Sequence, residues 1–190
     1  MNGEKRGVRQ VLLHERRAYL NEKRVQSSKE IMQRIIGSQL YKDCDTILTF
    51  IPTRIEVDTT SLIEKAFADG KTVAAPRVDK NSDLMDFYRI TSFDDLESAS
   101  FNLLEPKTDC EKITDFSNSI CITPGLAYTR KGFRMGFGRG YYDRFLSGYE
   151  GLSCGVIFEQ FILDSLPVDD RDIPTSFVVT EYEIIRTSES

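Results

Sequence analysis

Ile120-Cys121-Ile122-Thr123-Pro124-Gly125-Leu126-Ala127-Tyr128 is followed, after Gly132, by Arg134-Met135-Gly136-Phe137-Gly138-Arg139-Gly140-Tyr141-Tyr142-Asp143-Arg144-Phe145-Leu146. The apolar run Ile120 to Thr123 reads as a buried strand, stopped by Pro124 and Gly125. A glycine-rich loop comes next, and a helix is expected from about Gly140 to Leu146. Strand, loop and helix in that order form the unit from which parallel sheets are built.

The same alternation continues on both sides. A helix is expected over residues 4 to 20, where Val8, Val11, Leu12 and Tyr19 fall near helical spacing. A second is expected from Ser28, a fitting N-cap, to Leu40, with Ile31, Ile35 and Ile36 inward. Thr46 to Ile51 is a β-branched strand ending at Pro52, and Asp58 can cap a helix that Gly70 closes. Further strands are expected at Thr72 to Ala75, Leu84 to Ile90, Ser153 to Phe158 and Phe177 to Thr180, while residues 113 to 119 read ambiguously. The expected fold is a single α/β domain over residues 1 to 190: a largely parallel sheet with helices on both faces. Ligands of such sheets sit beyond the carboxyl ends of the strands, so the loops after Pro52, Pro76 and Pro124 are where chemistry is expected.

Composition narrows the function classes. The chain has 190 residues, 40% hydrophobic and 29% charged, with a net charge of −5. No apolar run approaches membrane-spanning length, and Met1 to Val8 is charged and polar, so the expected address is the cytoplasm. Cys44, Cys110, Cys121 and Cys154 form no C-x-x-C pair, and His14 is the lone histidine. Zinc motifs and a Ser-His-Asp hydrolase are therefore disfavoured. Positive charge gathers in two places: residues 1 to 24 hold seven Lys or Arg, and residues 129 to 144 hold Arg130, Lys131, Arg134, Arg139 and Arg144 against Asp143 alone. Two basic segments in an acidic chain suit a small anion better than a nucleic-acid backbone.

The loop itself suggests which anion. Glycines at 136, 138 and 140 permit left-handed backbone and remove side chains, so backbone N–H groups can turn toward one point. The helix that follows adds its amino end, and Arg134 and Arg139 can add charge-assisted contacts to phosphate oxygens. G-x-G-x-G is neither the dinucleotide fingerprint nor a P-loop. Asp143, in the first turn of the helix, would repel a phosphate unless a Mg²⁺ ion lay between them; it would equally favour the helix dipole without any ligand. Tyr141 and Tyr142 offer rings for a flat heterocycle, and one of them is expected in the core.

Pro-Gly, a spacer, Gly-x-Arg and then G-x-G-x-G-Tyr-Tyr-Asp resembles the signature of the 5-formyltetrahydrofolate cyclo-ligase family. Lys5 to Arg9 matches that family's K-x-x-x-R helix start, and Ile51 to Asp58 its Glu-Val-Asp-Thr segment. Pro76-Arg77-Val78, Met85-Asp86-Phe87, Glu105-Pro106, Gln160, Leu166-Pro167, Asp172 and Val179-Thr180-Glu181 follow in the family's order. Thr129, Asn102 and Arg171 depart from its usual Asp, Gly and His. The resemblance implies a Rossmann-like fold of the NagB/RpiA/CoA-transferase type. It also implies ATP- and Mg²⁺-dependent closure of 5-formyltetrahydrofolate to 5,10-methenyltetrahydrofolate through an N5-iminium phosphate.

It implies residue roles too. Lys5, Arg9, Arg134, Gly136, Gly138, Arg139, Gly140, Tyr141 and Tyr142 match the ATP site, with Lys5, Arg134 and Arg139 as the catalytic cations. Ile51, Glu56, Arg9 and Tyr141 match the folate site, and Asp143 and Asp172 the Mg²⁺ ligands. A glutamate suits a pterin, whose N–H and exocyclic NH₂ donate side by side. Arg134→Ala is expected to cut turnover far more than it perturbs folding. The expected partners are small molecules only, 5-formyltetrahydrofolate (polyglutamylated or not) and ATP, with no nucleic acid or membrane. A monomer is expected, a dimer left open. The competing readings are a non-catalytic folate- or nucleotide-binding relative, an RNA-associated protein, and a different ATP-dependent ligase or kinase on the same fold.

Overall fold

The computed structural model describes residues 2–79, 82, 84–99 and 103–187. The chain begins with α1 (Asn2–Ala18), α2 (Asn21–Gly37) and α3 (Gln39–Asp43), then β1 (Thr46–Leu48), α4 (Thr60–Ala68), β2 (Thr72–Asp79) and β3 (Leu84–Ile90). After β4 (Leu96–Ser98) and β5 (Leu104–Pro106) come β6 (Ser119–Thr123), β7 (Ala127–Thr129), β8 (Arg134–Met135), α5 (Tyr141–Leu146) and β9 (Leu152–Val156). β10 (Ile162–Leu163), β11 (Phe177–Val179) and β12 (Ile184–Arg186) complete it.

Seven strands form the main sheet in the order β12-β11-β9-β6-β1-β2-β3. Its five central strands run parallel, and β3 and β12 close the two edges antiparallel. The pleat sends alternate residues to opposite layers. Ile47 joins Ile31, Ile35, Leu62 and Ile63 in one cluster, beneath α2 and α4. Leu48, in register with Ala74 and Cys121, turns to the other side and packs with Met85, Phe87 and Leu146 of α5. Helices thus cover both faces, and burial of each large aliphatic side chain contributes about 1.5–3 kcal/mol.

Several boundaries differ from the expected ones, each for a tertiary reason. α2 begins seven residues before Ser28, which is buried inside the helix, where its hydroxyl accepts from the Asp58 N–H at 3.0 Å. The second helix also ends early, at Gly37, and restarts as α3. The N-cap of α4 is Thr59 rather than the expected Asp58, which lies one residue earlier and accepts from Thr60 N at 3.0 Å. β2 runs through Pro76 because β1 pairs only as far as Ala74, so beyond it no ladder bond is needed from the proline nitrogen. β1 stops at Leu48 rather than Ile51, freeing Thr49 to Thr59 as a loop. β4, β5, β7, β8, β10 and β12 were not expected; they are two or three residues long, too short for a periodic signal. Asn102 lies outside the described residues.

Candidate active site

Three loops leave the carboxyl ends of neighbouring strands: 49–59 after β1, 124–140 after β6 and 157–175 after β9. α1 touches all three. Lys5 donates to Asp169 at 2.9 Å and to Asp172; Arg9 Nε donates to Gly136 O at 2.9 Å; Arg16 donates to Ile55 O at 2.8 Å. Lys5, Arg9 and Arg16 recur at helical spacing, so a single face of α1 reaches the loops.

The glycine loop lies against Arg9. Gly138 has φ +103°, and a Cβ there would stand 3.1 Å from Arg9 Cζ. Gly140 has φ +66° and caps α5 in the left-handed conformation. Only these two of the three alternate glycines need positive φ; Gly136 contributes its carbonyl instead. Arg139 is exposed and makes no hydrogen bond or ion pair among the described residues, which leaves its guanidinium free for a ligand. α5 is only six residues long, so its dipole adds little, and the charges come from side chains.

Arg134 behaves differently from Arg139. It is 8% exposed, and its guanidinium donates to Ile173 O at 2.9 Å and to Asp143 Oδ1 at 2.6 Å. Asp143 Oδ1 also accepts from Ile173 N at 3.1 Å. Burial raises the Asp143 pKa above its usual value, while Arg134 pulls it down. Arg134 therefore also holds the half-buried Asp143 carboxylate and the 172–174 segment.

Asp143 and Asp172 lie near enough to influence each other's charge, with Lys5 in the same group. Burial opposes the charge on Lys5, but its bonds to Asp172 and Asp169 outweigh that, so its pKa is raised. Asp169 is held well below the usual carboxylate range by Arg171 first and Lys5 second. Among the described residues no group of three or more His, Cys, Asp or Glu side chains converges. Two carboxylates, each with one oxygen engaged by protein donors, fit Mg²⁺ completed by phosphate oxygens and water, not an all-protein cage.

Beyond the cradle, Glu56 is 6% exposed. Its Oε2 accepts from Thr53 N at 2.8 Å, and the Thr53 side chain is a further hydrogen-bond partner of the carboxyl group. Burial raises its pKa; the Thr53 side chain first, then the Thr53 N–H and the Arg16 charge, work against that rise. Ile51, on the same loop, is half-buried against the core. Tyr142 stands between the two regions. Its ring faces the Arg134 guanidinium at 6.0 Å, Glu56 is among the charges that raise its pKa, and its buried hydroxyl finds no partner. Tyr141 instead lies under Arg144, 5.2 Å from its guanidinium carbon.

The profile of the 5-formyltetrahydrofolate cyclo-ligase family matches residues 1–181. The chain belongs to that family. It is 30% identical over 193 residues to the 5-formyltetrahydrofolate cyclo-ligase of Mus musculus, covering 95% of each chain. It is 28% identical over 180 residues to that of Escherichia coli K12, covering 92% of this chain and 98% of the other. Its fold superposes on the solution structure of Aquifex aeolicus 5,10-methenyltetrahydrofolate synthetase with a TM-score of 0.86 and 29% identity, over 98% of this chain and 94% of that one.

For a cyclo-ligase family member, two site features escaped the sequence. Arg16 was passed over although it lies seven residues after Arg9, the spacing that puts both on one face. Asp169 was masked by the run Asp169-Asp170-Arg171-Asp172. Of the departures, Thr129 is 5% exposed with an unpartnered Oγ1, and Arg171 is exposed beside Asp169. A cavity of about 700 Å³ lies at the opposite end of the sheet, bordered by Asp43, Asp115, Ser119, Glu150 and Leu152. Its charged rim is acidic, unsuited to phosphate or folate carboxylates, which leaves the carboxyl-end cleft as the candidate site. Among the described residues no helix is long and apolar enough to cross a membrane.

Proposed function

We propose that this chain closes the one-carbon bridge of 5-formyltetrahydrofolate at the expense of ATP, releasing 5,10-methenyltetrahydrofolate, ADP and phosphate. One observation supports the reading: a glycine-rich loop packed on Arg9 and the buried Glu56 carboxylate share one end of the sheet, with Tyr142 between them. The formyl oxygen is amide-like and a poor leaving group. It attacks the γ-phosphorus, ADP departs, and an N5-iminium phosphate forms. N10 then adds to that carbon, phosphate leaves, and the N10 proton is lost.

No protein nucleophile is required; the protein positions the reactants and neutralises charge. Gly136 to Gly140, Arg9 and Arg139 hold the triphosphate, with Lys5 reaching it from α1. Arg134 stabilises the transferring phosphoryl group while fixing Asp143. Asp143 and Asp172 would hold Mg²⁺, which screens phosphate charge when bound. Glu56 Oε1 accepts from the pterin, and Ile51 and Tyr141 flank it. The groups named all lie in a single catalytic domain over residues 1 to 190, proposed to work as a monomer.

The test is near-ultraviolet absorbance of purified protein with MgATP and 5-formyltetrahydrofolate, at a pH that preserves the methenyl bridge. Growth of the methenyl band that needs both ATP and Mg²⁺ is expected. A flat trace from folded protein that binds both substrates would replace this reading with that of a non-catalytic relative.

A further inference from the structure

Arg16 is 2% exposed. Both Nε and Nη2 donate to the carbonyl of Ile55, the residue before Glu56. Its guanidinium carbon lies 4.8 Å from the Phe158 ring centroid and 4.9 Å from that of Phe161. One side chain thus ties α1, which carries Lys5 and Arg9, to the loop of Glu56 and to the turn after β9. Its Nη1 is buried without a hydrogen-bond partner. Burial pushes the Arg16 pKa down to about 10, and Glu56 is the largest charge opposing that shift. The side chain therefore stays cationic at neutral pH. A guanidinium buried with one nitrogen unsatisfied is an expensive way to fill space, since an apolar residue of similar volume packs at less cost. Its placement beside Glu56 gives it another use.

We infer that Arg16 is the positioning residue of the substrate-binding carboxylate Glu56: it clamps the Ile55–Glu56 peptide to α1 and keeps a positive charge beside Glu56, which then meets the pterin as an oriented carboxylate. The inference rests on the folate reading of Glu56 given above. Arg16 acts through Glu56 and does not touch the reacting atoms. The groups facing Glu56 are Arg16 from α1, the Thr53 side chain and N–H from its own loop and the Tyr142 phenol from α5.

The test compares Arg16→Lys, Arg16→Met, Glu56→Gln and the Arg16→Lys/Glu56→Gln pair in the full chain. Arg16→Lys keeps the charge and loses the fork on Ile55 O. It is expected to raise the KM for 5-formyltetrahydrofolate by roughly tenfold, as misplacing a binding group does, with the KM for ATP within about twofold. In the Glu56→Gln background the same change should add less than about twofold, because a shared mechanism is non-additive. In Arg16→Met, the Glu56 side-chain carboxyl ¹³C signal should titrate at higher pH than in wild type, and the acid limb of folate binding should move with it. A lower Tm with unchanged folate KM and unchanged Glu56 titration would overturn the inference, as would additive effects in the pair. If Arg16→Met does not fold, Arg16→Lys and the pair decide alone. The ¹³C titration needs no ligand. A wild-type protein that fails to bind 5-formyltetrahydrofolate, yet shows the Glu56 shift in Arg16→Met, would sink the substrate reading and leave the coupling intact.

Discussion

Arg134→Ala removes two hydrogen bonds at once, to Ile173 O and to Asp143 Oδ1, and leaves the Asp143 carboxylate with the Ile173 N–H alone. Breaking a fully buried ion pair from one side costs about 3–5 kcal/mol. The Asp143 side chain is 23% exposed, so water recovers part of that, and about 2–3 kcal/mol remains. For a chain of this size that corresponds to a Tm lowered by roughly 4–12 °C. The pH dependence has a definite sign. The folded-state pKa of Asp143 is raised, so the native state binds its proton more tightly than the unfolded chain does. Removing Arg134 raises it further. The extra destabilisation is therefore full above the new folded pKa and shrinks as pH falls through it. Thermal melts at neutral pH and at about pH 5, followed by circular dichroism, measure this. Arg134→Ala/Asp143→Asn should recover half or more of the lost Tm without recovering turnover. A single mutant that melts within about 1 °C of wild type at neutral pH would refute the reasoning, and so would a double mutant no more stable than the single.

Arg139→Ala should leave the melt unchanged, because the side chain is exposed and unpaired among the described residues, while steady-state kinetics show the KM for ATP rising by about tenfold or more. Gly138→Ala forces a Cβ into left-handed backbone and against Arg9; a loss of about 1–2 kcal/mol in chemical denaturation is expected, with a raised KM for ATP. Glu56→Gln keeps the acceptor for Thr53 N and discards a buried charge, so stability at neutral pH should hold or rise. Its KM for folate should increase roughly 10- to 100-fold, the worth of a charged hydrogen bond. Wild-type stability should also gain as pH falls toward the raised Glu56 pKa, and this gain should vanish in Glu56→Gln.

The glycine loop, the paired tyrosines and Asp143 were legible because they are contiguous, and backbone requirements such as positive φ at Gly138 and Gly140 are written in the residue type. The central strands were legible for a similar reason: Ile47, Val73, Ile120 and Val178 sit in β-branched runs bounded by turn formers. Strand lengths were not, since β2 passes Pro76 only because no neighbour needs its nitrogen there. Ser28 shows the same limit from the other side. Its residue type suits a cap in any helix, yet here it lies inside its own helix and holds the loop that leads into α4, accepting from the Asp58 N–H.

The sequence by itself determined the layered α/β class, the basic faces of α1 and of the 129–144 segment, and the residue types that cradle an anion, all of which depend on local spacing. Only the tertiary structure decided which of those charges are free and which are already engaged. Arg139 and Arg134 look equivalent in the sequence, but one faces solvent and the other is buried on Asp143 and Ile173. Arg16 meets Ile55, Phe158 and Phe161 together because strands β1 and β9 carry residues a hundred positions apart to the same end of the sheet. Burial and pairing are properties of that long-range neighbourhood, and no window along the chain contains them.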